Sequence, residues 1–160
     1  MPFMYHYAGQ PGRSTQRSRE VISKFYNLTD TGIPGNDDSG AMASFAAFYL
    51  VGLYPLPATR QVLVSSPWFP TVNITNSVTG ATTTINAVGF KGNPSGSQTG
   101  NIFVQNIKVN GKTWGSRCWL DWSVFESGGV VDLYLGTNQG QNCGEGNAAL
   151  PASLSTGGYN

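Results

Sequence analysis

Between positions 14 and 27, in STQRSREVISKFYN, Val21, Ile22, Phe25 and Tyr26 recur at a helical period, while Arg17, Arg19 and Lys24 fall largely off that stripe. The spacing predicts an amphipathic helix ending near Asn27. A polar turn, LTDTGIPG, follows, and then SGAMASFAAFYLVGLYP is apolar nearly all round, with Ala41, Ala43, Ala46 and Ala47 small enough for close packing. This predicts a second helix over 39–53, buried, packed against the first and stopped by Pro55 and Pro57.

Beyond Pro57 the period shortens to two. Strands are predicted at 61–66, 71–76, 82–88, 101–109 and 130–135, where apolar and polar residues alternate between Gly, Asn and Ser clusters. Ile102, Val104, Ile107 and Val109 would build one sheet face, and Asn110-Gly111 marks a tight turn after the longest run. Strands are expected only after Pro57, in an antiparallel, sandwich-like region over 58–136. The last segment, 137–160, has no period and is expected to be irregular and mobile except where Cys143 ties it down. The fold class is α+β, with a helical part over 1–57.

Composition narrows the function. Charged residues are 11% of the 160, aromatics 12%, and the net charge is +1. The basic residues Arg13, Arg17, Arg19 and Lys24 read as a solvated helix face, and nothing resembles the concentrated basic footprint that nucleic acid requires. No apolar run approaches the ~18 to 20 residues that span a bilayer. The first residues, MPFMYHYAGQPG, are not a signal peptide. If the protein is secreted, its signal lies upstream, Met1 is an internal methionine or an artificial start, and the chain is a C-terminal fragment. Cys118 and Cys143 are the only cysteines. Zinc would need two more ligands, and the single histidine, His6, is far away in sequence, so zinc is disfavoured and a Cys118–Cys143 disulfide is expected over free thiols. Two sequons, at Asn27 and Asn73, fit a secretory route and N-glycosylation.

The sharpest chemistry lies in GIPGNDDSG, residues 32–40. If the second helix begins near Ser39, Asp38 caps it, which is a sufficient structural role. The positive end of a helix also favours an ionised carboxylate, which suits a general base. Hydrolysis with inversion needs such a base and a second, protonated carboxyl group ~6.5 to 9.5 Å away. Tyr5, His6 and Tyr7 could line a sugar-binding wall or only pack against the helix that follows. Trp114, Trp119 and Trp122 could form a lectin platform or core and inter-domain packing.

Taken together, Tyr5-His6-Tyr7-Ala8-Gly9-Gln10-Pro11, the Gly32 to Met42 loop and Gly52-Leu53-Tyr54-Pro55 resemble the last catalytic-domain segment of glycoside hydrolase family 92, the calcium-dependent exo-acting α-mannosidases. NIFVQNIKVNGKTW and RCWLDW resemble the family's C-terminal strands, so the likeness reaches to about residue 136. The resemblance implies that Asp38 is the general base, with Asn36 and Asp37 shaping its loop. It implies the last helices of an (α/α)6 barrel before the strands, with an N-terminal β-sandwich and the rest of the barrel upstream. It also implies calcium, with most ligands and the acid Glu outside this chain, because none of Glu20, Glu126 or Glu145 sits in the acid's motif. Departures are Ala41 and Ala43-Ser44-Phe45, where many relatives carry Gln and Ser-Ala-Trp.

The leading expectation is therefore part of a secreted, inverting exo-α-mannosidase acting on terminal α-linked mannose of N-glycans or mannoproteins. The chain alone would be incomplete. The rivals are a non-catalytic carbohydrate-binding or packing module and an inactive truncated product. Residues 1–57 count against a free-standing binding module, which has no need of the helix and carboxylate loop.

Overall fold

The computed structural model describes residues 2–91 and 100–156; Met1 and the last four residues of the expected tail lie outside them. After a 3-10 turn at Pro2–His6 come α1 (Pro11–Phe25), α2 (Ala41–Val51), β1 (Leu53–Pro55), β2 (Gln61–Val64), β3 (Thr71–Thr75), β4 (Thr82–Val88), β5 (Phe103–Val109), β6 (Lys112–Thr113), β7 (Trp119–Asp121), α3 (Ser123–Ser127) and β8 (Gly129–Gly136). Two sheets form, β1-β2-β7 and β3-β4-β8-β5-β6. All five expected strands are present. Strands nevertheless begin before Pro57, because β1 pairs with β2 at Leu53↔Val64, Tyr54↔Leu63 and Pro55↔Val62. The larger sheet is also mixed, since β4 and β8 run parallel from Thr83↔Gly129 to Val88↔Tyr134.

Strand β2 explains the layering. Val62 and Val64 point to one side and join Ile85, Ile107, Leu120, Val131 and Leu133 in the core between the two sheets. Leu63 points to the other side and packs with Phe3, Ile22, Tyr49 and Trp68 beneath the helices. The small sheet is thus a middle layer, apolar on both faces. In β5, Val104 and Ile107 both face the core although they are three residues apart, because the register shifts between Val104 and Asn106. The extra residue, Gln105, donates from Nε2 to the carbonyls of Phe103 and Asn138. At the end of β5, Asn110 and Gly111 take φ of 50° and 79°, as a two-residue hairpin turn requires.

Three helical expectations are corrected. Helix α1 buries Ser14, Thr15, Ser18, Arg19 and Ile22, whereas Phe25 is 56% exposed. Arg19, expected in solvent, is 2% exposed: Nη2 donates to Ser66 Oγ and to the Pro67 carbonyl, each at 3.0 Å, and the guanidinium lies 4.9 Å from the Trp68 ring centre. Helix α2, expected to be buried, has only Tyr49 inside, and Ala43, Ala47 and Phe48 are exposed. Its stop comes from Gly52, not the prolines. Gly52 has φ 75°, its amide bonds back into the last turn, and a Cβ there would sit 2.5 Å from the Pro67 nitrogen.

Residues 137–156 are irregular but docked. Cys143 is disulfide-bonded to Cys118 with Cα atoms 5.0 Å apart. Gln139 Nε2 donates to Gln16 Oε1 at 2.8 Å, Ser116 Oγ to the Ala149 carbonyl at 2.7 Å, and the Ala152 amide to Gln61 Oε1 at 2.7 Å. Pro151 and Ala152 are buried. This replaces the expectation of a loose tail.

Candidate functional site

The connection between α1 and α2 carries the carboxylate pair. Its first part is closed by a bond from the Asn27 amide to the Gly32 carbonyl at 3.0 Å. Its last part is a left-handed run, with φ of 44° at Asp38, 67° at Ser39 and 87° at Gly40. Non-glycine residues rarely adopt this region, though Asp tolerates it better than most. Helix α2 therefore starts at Ala41, with Gly40 as its cap residue. The Asp37 carbonyl accepts the Ala41 amide at 2.7 Å, and Asp37 Oδ1 accepts the Ala43 amide at 3.0 Å.

This divides the labour between the two acids. Asp37, not Asp38, satisfies a free amide of the first turn. Asp38 is exposed and has no hydrogen bond or ion pair with another described residue. Asn36 is likewise exposed, with no side-chain hydrogen bond to another described residue. Tyr26, at the end of α1, donates from its hydroxyl to the Met42 carbonyl at 3.1 Å and so holds the start of α2. Burial, reinforced by the Asp37 carboxylate, keeps the Tyr26 phenol above its usual range. Replacing Asp37 by Ala is expected to lower stability by about 1 kcal/mol through the lost amide acceptor, read as a lower melting temperature.

Tyr5, His6 and Tyr7 differ in their surroundings. His6 is fully buried: its Nε2 donates to the Val64 carbonyl at 2.8 Å, and its Nδ1 meets Ser14 Oγ at 2.8 Å. It latches the N-terminal turn to β2 and α1 and cannot form part of a sugar wall. Tyr5 and Tyr7 are half-buried. Burial pushes the His6 imidazole down to about 4. The folded state thus binds this proton more weakly than the unfolded chain, whose histidine titrates near 6.5. The stability this contributes is present above pH ~6.5 and is lost as pH falls toward 4. At pH 5 the loss should reach about 2 kcal/mol relative to pH 8, and His6→Gln should flatten that part of the stability profile.

The other candidates disperse. Asn27 and Asn73 are both exposed, Asn27 in the loop and Asn73 on edge strand β3. Glu20 pairs with Arg17 and Lys24, and Glu126 with Arg60. Among the described residues no three His, Cys, Asp or Glu side chains converge on a common point. Among the described residues, no helix is long and apolar enough to cross a membrane. The sequence did not reveal Arg19 or Tyr26 as organising residues. Arg19 falls at the i+4 position from the buried Thr15, a spacing that could have flagged it.

Comparison with known proteins gives a consistent picture. Residues 1–137 match the model of the glycosyl hydrolase family 92 catalytic domain. An uncharacterized secreted glycosidase of Arthroderma benhamiae is 39% identical over 155 residues, which is 97% of this chain and 19% of that protein. A family GH92 α-mannosidase of Bacteroides thetaiotaomicron, solved with mannoimidazole, superposes with a TM-score of 0.79 at 23% identity, over 99% of this chain and 20% of the other. An inverting mannosidase of the same family and organism gives 0.76 at 24%, over 96% and 20%. The chain thus spans about a fifth of the length of these relatives. At these identities the solved structures establish the fold.

Proposed function

Because the chain belongs to glycosyl hydrolase family 92, we propose that it is the base-bearing part of a secreted, inverting exo-α-mannosidase that removes terminal α-linked mannose from N-glycans or mannoproteins. The observation that carries this reading is the Asp38 carboxylate, exposed and without a partner among the described residues, on a left-handed turn that the neighbouring Asp37 and Gly40 fix in place. A structural cap would be bonded, whereas the Asp38 side chain has no bond to another described residue.

In the proposed reaction Asp38 takes a proton from water, and the water oxygen attacks the anomeric carbon from the face opposite the leaving group. The glycosidic C–O bond breaks, and a carboxylic acid outside this chain gives its proton to the departing oxygen. Glu20 and Glu126 are held in ion pairs and do not supply that acid. The α1–α2 pair corresponds in this reading to the last helices of an (α/α)6 barrel, and the rest of the barrel covers Ala43, Ala47 and Phe48. Calcium, if bound in the complete enzyme, takes most of its ligands from elsewhere, and no step here depends on it. Secretion is supported by the disulfide, the exposed sequons and the description of the Arthroderma relative. The test is the kinetic contrast between Asp38→Asn and Asp37→Asn in the complete enzyme, where only the first should lower kcat by orders of magnitude.

A further inference from the structure

Residues 138–156 lie beyond the family match, and among them Glu145, Ala148 and Ala149 face the β6–β7 connection across an open cavity. Its volume is about 360 Å³, within the range of small-ligand sites. Trp114, Ser116, Trp119, Glu145, Ala148 and Ala149 line it. It shares no residue with the Asp38 loop.

We propose that this cavity is an accessory binding site for a pyranose ring of a glycan chain. The two indoles stand edge to face, with ring centres 6.0 Å apart and planes at 86°. Trp114 Nε1 donates to the Trp119 carbonyl at 2.8 Å, which fixes the orientation of its ring. An indole face is the surface on which the C–H side of a sugar stacks. Glu145 on the opposite segment is exposed and has no partner among the described residues, leaving its oxygens to accept from vicinal hydroxyls. No Lys or Arg lines the cavity, which disfavours an anionic ligand.

The site is built rather than incidental. Ser116 Oγ donates to the Ala149 carbonyl at 2.7 Å and accepts the Cys118 amide at 2.9 Å, knotting the turn to the returning segment. The Cys118–Cys143 bond clamps the same two segments. Gly144, at φ 140°, passes so close that a Cβ would lie 2.9 Å from the Gly115 carbonyl. Such preorganisation reduces the entropy lost when a ligand binds.

The site rests on the glycosidase reading only for the choice of probe. In the complete protein carrying Asp38→Asn, soluble α-mannan should quench tryptophan fluorescence saturably. Trp114→Ala should weaken this about tenfold and Glu145→Gln several-fold. With Asp38 intact, Glu145→Gln should raise KM for mannan while leaving kcat/KM for a small aryl α-mannoside unchanged. If Trp114→Ala fails to fold, Glu145→Gln decides, since its side chain is exposed. Unchanged mannan affinity in Glu145→Gln, or no sugar-dependent quenching in the parent, would overturn the site. Should Asp38→Asn retain activity while Glu145→Gln weakens mannan binding, the catalytic reading fails and the accessory site stands.

Discussion

Asp38→Asn in the complete enzyme should lower kcat by roughly 10² to 10⁴ while shifting the melting temperature little. Asn has nearly the shape of Asp, and both tolerate the left-handed conformation found here at φ 44°. The substitution removes no hydrogen bond, because the Asp38 side chain makes none with a described residue. What it removes is the capacity to accept a proton from water. Asp37→Asn is the matched control: its amide oxygen can still accept the Ala43 amide, so loop and helix start should persist with most of the activity. Equal losses in the two variants would show that the loop matters only as a shape.

Removing the disulfide by a Cys118→Ala, Cys143→Ala pair should cost about 3.5 kcal/mol, the chain-entropy value for a loop of this size. For a protein of this length that is a fall of roughly 7 to 14 °C in melting temperature. The loss should be unevenly distributed. Residues 137–156 attach through the disulfide and a few hydrogen bonds, so the Ala152 amide, now on Gln61 Oε1, should exchange much faster. Amides of β4 and β8, in the centre of the larger sheet, should keep most of their protection. Uniform loss of protection would mean that the segment is part of one cooperative unit with the core.

Much of this architecture was legible in the chain, for identifiable reasons. The period of two located five strands, and Asn110-Gly111 located the hairpin turn, because both depend on neighbours in sequence. The parallel pairing of β4 with β8 depends on partners 46 positions apart, Thr84 with Val130 for example, and no local pattern encodes it. β1 was hidden because Leu-Tyr-Pro continues the apolar run of α2, and only Gly52 separates them. Helix α2 was read correctly as apolar all round, but burial belongs to whatever covers it, and this chain spans only a fifth of its relatives' length.

The site was half legible. GNDDSG singled out the loop, but the division between a bonded Asp37 and an unbonded Asp38 turns on three consecutive positive φ angles. Those angles move the helix start from Ser39 to Ala41 and transfer the amide bond to Asp37. His6 was weighed with Tyr5 and Tyr7 either as a sugar-binding wall or as packing against the helix that follows, and for His6 the structure favours the packing. Its two buried bonds, to Val64 and Ser14, bring together residues 58 and 8 positions away that the sequence could not pair.

Azide offers the most direct test of Asp38 as the base, because it attacks without first losing a proton. The test uses the complete enzyme carrying Asp38→Gly, since glycine adopts the required left-handed conformation freely. With an activated aryl α-mannoside, azide should restore turnover at least tenfold over the crippled variant. The product should be the β-mannosyl azide, formed as azide bonds to the anomeric carbon and the aryl oxide leaves from the opposite face. An Asp38→Gly enzyme that turns over at the parent rate without azide, or that azide never rescues while Asp37→Gly is rescued, would contradict the assignment.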